Sequence, residues 1–164
     1  MAYRITAVVH QPWTATVGLV RDALAEQGFD ILTELDLSAM LRTKLGVDLP
    51  PQVVLGVSRV PLAYAALQAE PSVGVLLPWH VVVRAQDEHT TVVEAANLKL
   101  MVASTGNPRL EPVAAAASTR LACAMAALSA DQRAAGYDTA SAQADQGHAQ
   151  PTQPPQSPDP PPAS

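Results

Sequence analysis

Apolar and polar positions alternate with a period of two at the start of the chain and then recur every three to four residues. In YRITAVV at 3–9, Tyr3, Ile5, Ala7 and Val9 oppose Arg4, Thr6 and Val8. That pattern predicts a strand, with Val8 breaking the clean alternation. From Thr14, an N-cap residue type, to Gly28, a C′ residue type, Val17, Val20 and Leu24 fall on one face of a predicted helix. Phe29, Ile31, Thr33 and Leu35 then alternate with Asp30, Leu32 and Glu34 as a second strand. Asp36 stands where an N-cap belongs, ahead of Leu37, Met40, Leu41 and Leu45, and Gly46 closes this short helix.

Pro50 and Pro51 punctuate a loop before VVLGVS at 53–58, an apolar run of strand length in which Gly56 permits a close approach. Pro61 suits the first position of a helix ending near Ala69, because Pro71 stops it from continuing far. VGVLL at 73–77 reads as a further apolar strand, while HVVVRA at 80–85 and TTVVEAA at 90–96 form a hairpin around Gln86 to His89. Asn97 caps a single turn through Met101, and STGN at 104–107 is a turn leading into Pro108. The final helix carries the strongest period, with Leu110, Val113, Ala117, Leu121, Met125 and Leu128 at steps of three and four.

Composition changes the picture at the C-terminal end. Of 15 prolines in 164 residues, seven lie in the last 14, and after Leu128 there is no Val, Ile, Leu, Met, Phe, Trp or Cys. Residues 1–129 are therefore expected as one α+β domain, and 130–164 as a disordered tail rich in Ala, Gln and Pro that is dispensable for folding. The single cysteine, Cys123, cannot pair within the chain, and it is expected to be a small buried residue of the last helix. No basic segment followed by an apolar one opens the sequence, and the run at 72–83 is short of the roughly 20 residues of a spanning helix. A cytoplasmic protein outside the membrane is the expectation. The net charge of −5, with 9 basic against 11 acidic residues up to 129, disfavours nucleic acid as a partner.

Three phrases, GFDILTELDLSAMLRTKLGVDLPP at 28–51, VVLGVSRVPLAYAALQAEPSVGVLLPWHVVV at 53–83 and TGNPRLEPVA at 105–114, together resemble the bacterial and archaeal family called domain of unknown function 302. The resemblance covers roughly residues 3–128. It implies an antiparallel sheet of about five strands with helices on one face, similar to the β-α-β4-α arrangement of TATA-box-binding-protein-like folds with short helices inserted. It also implies a homodimer and no known reaction. Family members commonly carry cysteines in the phrases that here read GVSRVP and LPWHV, where this chain has Ser58 and Trp79, so thiol chemistry does not transfer.

Candidate chemistry is sparse. Ser58 and Arg59 at a strand-to-helix junction, and Trp79 and His80 at a strand start, are expected to converge on one cleft suited to a small anionic or aromatic ligand. The alternative is a small hydrolase or isomerase in which His80 works with Glu34 or Asp36. His10, His80, His89 and Glu34 have no ligand spacing that supports a metal, and no cofactor motif is present. G-x-S-x-R around Ser58 departs from the nucleophile elbow. The reading is a small-ligand-binding or interaction module without established catalysis.

Overall fold

The computed structural model describes residues 2–144, with side chains through Ser129. In chain order the elements are β1 (Arg4–Val9), α1 (Trp13–Glu26), β2 (Asp30–Asp36), α2 (Leu37–Leu45), β3 (Gln52–Ser58), α3 (Val60–Ala69), a 3-10 turn (Pro71–Leu76), β4 (Trp79–Ala85), β5 (Thr91–Ala96), α4 (Lys99–Thr105), a second 3-10 turn (Pro108–Leu110) and α5 (Glu111–Ala144). The five strands form one sheet in the order β1-β5-β4-β3-β2, every pairing antiparallel. This is the α+β class expected from the sequence.

The first helix links the two edge strands, so it has to cross the whole sheet. Together with α5 it covers one face. Val20, Ala23 and Leu24 of α1 and Ala117, Leu121, Ala124 and Leu128 of α5 share one buried cluster with Val9, Val53, Leu55, Val57, Val81, Val83 and Val93. Each fully buried aliphatic side chain contributes about 1.5–3 kcal/mol, so this interface is the main source of stability. A smaller cluster of Ala66, Val73, Met101, Leu110, Val113 and Ala114 ties α3, α4 and the two 3-10 turns to the start of α5.

Local signals behave as their chemistry dictates at most junctions. The Asp36 carboxylate accepts from the Ala39 N–H at 2.8 Å and from the Ser38 hydroxyl at 2.7 Å, which caps α2. Ser38 Oγ in turn accepts from the Gln52 N–H at 3.3 Å, so the cap also fixes the start of β3. Gly46 closes α2 in the left-handed region at φ 68°. The β4–β5 hairpin forms as expected, with the Gln86 N–H donating to the Thr90 carbonyl.

Four expectations need correction. Thr14 is inside the first turn of α1; the helix begins at Trp13 after Pro12, where the Trp13 indole donates to the Val83 carbonyl at 3.0 Å. VGVLL is not a strand. It lies in the 3-10 turn, which buries Val73 in the smaller cluster and leaves Val75 89% exposed, and it finds no strand to pair with. Cys123 is exposed, because the buried stripe of α5 runs through 117, 121, 124 and 128 and position 123 turns away from it. The last helix does not stop near Leu128 but runs to Ala144, since the Ala-, Gln- and Arg-containing segment favours helix locally. Residues 145–164 of the expected disordered tail lie outside the described residues.

Candidate functional site

Among the described residues no helix crosses the second face of the sheet, and strand register shows what that face carries. Val8 of β1 stands opposite Val92 of β5, which faces Arg84 of β4, which faces Gln52 of β3. The next row across is Thr6, Glu94, Val82, Val54 and Leu35. A third row holds His80, opposite Gly56, which is opposite Thr33. Val8 and Leu35 are 43% and 44% exposed, and Val54 and Val82 are half-buried. This open face is an apolar patch with one ionic cluster. Glu94 receives the Arg4 guanidinium at 2.7 Å and the Arg84 guanidinium at 3.2 Å, two cations on one carboxylate.

Strand alternation decides where the expected site residues fall. Ser58 follows Gly56 by two positions and shares the open face with His80; Ser58 is buried and His80 exposed. As diagonal neighbours they are about 7–8 Å apart at Cα. Trp79 points the other way, into the helix-covered core, where its ring meets Phe29 edge-on at 6.3 Å. Arg59 also lies on the helix side. Its Nε stands 3.1 Å from where a Gly28 side chain would begin, at the end of α1. The four residues do not converge on one cleft; they divide two and two across the sheet.

The start of α3 is a poor anion site as well. Pro61 has no N–H, and the N–H groups of Leu62 and Ala63 already donate to the Arg59 carbonyl. The pairing of His80 with Glu34 or Asp36 fails for the same geometric reason. Glu34 and Asp36 face Leu55 and Val53 in register, on the helix side, and Glu34 is ion-paired with Arg21 of α1. The Ala39 N–H and the Ser38 hydroxyl hold the Asp36 carboxyl below the usual carboxylate range. An acid that caps a helix is not available as a base for His80.

Sequence reasoning passed over Glu94, which is diagonal to His80 on the open face. A hydroxyl, an imidazole and a carboxylate thus share one face, but no hydrogen bond joins them, and Glu94 is committed to two arginines. Nucleophilic catalysis needs those contacts at about 2.6–3.2 Å. Among the described residues no three His, Cys, Asp or Glu side chains gather as metal ligands.

The arrangement of this sheet and its helices has a counterpart among known proteins. The family model described as domain of unknown function DUF302 matches residues 5–128. The chain belongs to the DUF302 family. A crystal structure of an uncharacterized conserved protein DUF302 from Bacillus stearothermophilus is similar over 76% of this chain and 97% of that chain, at 27% identity and a TM-score of 0.70. No curated protein sequence matches. DUF302 membership accounts for the strand order and the helix-covered face, and it brings no reaction with it.

The described segment of spanning length in this DUF302 domain is Pro108–Ser129, in which an 18-residue stretch has mean hydropathy 1.2. Its apolar stripe packs on the sheet and on α1 from Ala117 to Leu128, and on α3 and α4 at Val113 and Ala114.

Proposed function

We propose that this domain is a non-catalytic binding module that works as a homodimer, paired through the open face of the sheet. The observation that carries the reading is that β3 and β4 set Val54 and Val82 at the centre of the open face, with Val8 and Leu35 towards its edges and no helix of the described residues over them. A strand with one face in water alternates, whereas strands covered on both faces read as continuous apolar runs. VVL at 53–55, VVV at 81–83 and VV at 92–93 are such runs, and α1 and α5 account for only one of their two faces. A second copy supplies the missing cover. The two-fold symmetry of a dimer would set Val8, Val54, Val82 and Leu35 of one protomer against the same apolar patch of the other. The separated positions of His80, Glu34 and Asp36 leave the hydrolase or isomerase reading without a base, and the cytoplasm remains the setting this reading assumes.

The test is sedimentation velocity of the full chain over a micromolar concentration series, alongside Val82→Glu and Leu35→Glu. The wild-type chain is expected to sediment as a dimer. Both variants should keep the wild-type circular dichroism and sediment as monomers, because a carboxylate buried in an apolar interface without a partner is strongly unfavourable. A wild-type chain that stays monomeric at high micromolar concentration overturns the proposal.

A further inference from the structure

At the end of the sheet where β4 begins, a cavity of about 150 Å³ lies between the β5–α4 connection and the first 3-10 turn. Its walls include Trp79, Leu76, Leu98 and Met101, and the exposed Tyr3 and Ser104 stand at its rim. An apolar cavity of about this volume holds a benzene-sized molecule. Trp79 is only 3% exposed, and its Nε1 N–H has no hydrogen-bond partner. Buried polar groups are almost always paired, so an orphaned donor beside a cavity points to an absent acceptor. The other tryptophan provides the contrast, since Trp13 Nε1 donates to the Val83 carbonyl.

The polar wall residue Asn97 does not supply that acceptor. Its Oδ1 accepts from the Lys99 N–H at 3.2 Å, and its Nδ2 donates to the Ala2 carbonyl at 2.7 Å. The same residue holds the N-terminal segment over the cavity, because its backbone N–H donates to the Tyr3 carbonyl at 2.9 Å. Tyr3, which also contacts the Arg4 guanidinium, and Leu76 of the 3-10 turn are 65% and 40% exposed. Both side chains stand at the solvent-facing mouth of the cavity.

We propose that this cavity binds a small neutral molecule, an apolar ring or branched chain of about benzene size that carries a carbonyl or ether oxygen, with that oxygen accepting from Trp79 Nε1. Neutrality follows from the walls, which contain no Lys, Arg, His, Asp or Glu. The inference rests on the reading of the domain as a binding module, but the cavity is separate from the valine patch proposed to pair two copies.

The test is an NMR titration of the ¹⁵N-labelled full chain, whose two indole N–H signals are assigned with Trp13→Phe. Cyclohexanone is the probe, and methylcyclohexane is the hydrocarbon of matching size. The Trp79 indole signal is expected to move and saturate with cyclohexanone while the Trp13 signal stays in place, and the hydrocarbon is expected to bind about tenfold more weakly. Trp79→Phe keeps a ring and removes the donor, so it should abolish that preference. A Trp79 signal that both probes leave unmoved, equal affinity for the two, or an indole proton in contact with a bound water only, overturns the proposal. Val82→Glu separates this from the pairing claim. A monomeric variant that still responds to cyclohexanone supports the site, whereas a wild-type dimer with no response sinks the site and leaves the pairing intact.

Discussion

On the helix side of the sheet, Val53, Leu55, Val81, Val83 and Val93 lie under α1 and α5 and are at most 2% exposed. One position along the same strands, Val54, Val82 and Val92 join Val8 and Leu35 on the face that no helix covers. The residue types are nearly the same, but Val54 and Val82 are only half-buried and Val8 and Leu35 are exposed, while Val92, between Val8 and Arg84, is buried. The contrast teaches that similar side chains on one strand can meet different surroundings on its two faces, and that the described helices of this chain cover only one of them. The open face carries its ion pairs at the centre, on Glu94 with Arg4 and Arg84, whereas the Arg21–Glu34 pair of the helix side sits at the β2 edge.

The largest effect separates the two faces directly. Leu55→Ala on the helix side should lower unfolding free energy by about 2–5 kcal/mol in urea titrations, because it leaves a cavity in a closed core. Leu35→Ala on the open edge strand should change the stability of the isolated chain by less than about 0.5 kcal/mol. Equal losses at the two positions would erase the distinction.

Gly56 sharpens the comparison, because it marks a place where the open face is tightly packed. A Cβ at this position would stand 2.1 Å from Thr33 Oγ1 and 2.8 Å from Pro78 Cγ. Gly56→Ala should therefore cost about 1–3 kcal/mol despite lying on the uncovered side. Adding Thr33→Ala should recover only part of the loss, since the rigid proline ring remains, and full recovery would mean that Pro78 gives way.

The smallest effect is at Asp36, whose cap lies at the margin of both faces. Asp36→Ala should lower the melting temperature by a few degrees near neutral pH. Its carboxyl titrates below its unfolded-state value in the folded chain, so its stabilisation is complete above that unfolded value, near pH 4, and is lost as pH falls through the folded one. Wild type and variant should converge in melting temperature at low pH. A difference that persists undiminished there would assign the effect to something other than the ionised cap.

Much of this was legible from spacing alone. The strands, the Asp36 cap and the hairpin follow from local periodicity and cap chemistry, and the helix-covered face from the family resemblance. VGVLL was not, because five apolar residues in a row carry no period, and tertiary contacts to Ala66 and Met101 chose a 3-10 turn. The two-and-two division of the candidate residues was in the sequence all along. Ser58 and Arg59 are consecutive, as are Trp79 and His80, so alternation sends each pair to opposite faces. The cavity beside Trp79 could not be read from the chain, since α4, the 3-10 turn and the N-terminal segment meet there only in the folded protein.

The claim that a second copy covers the open face is tested most directly by isotope-filtered NOE spectroscopy on a mixture of ¹³C-labelled and unlabelled chains. Only contacts between different molecules appear in such a spectrum. The account predicts intermolecular contacts among the methyl groups of Val8, Val54, Val82 and Leu35. A spectrum without intermolecular contacts at high micromolar concentration, or one whose contacts fall on the exposed side of α5 instead, would contradict it.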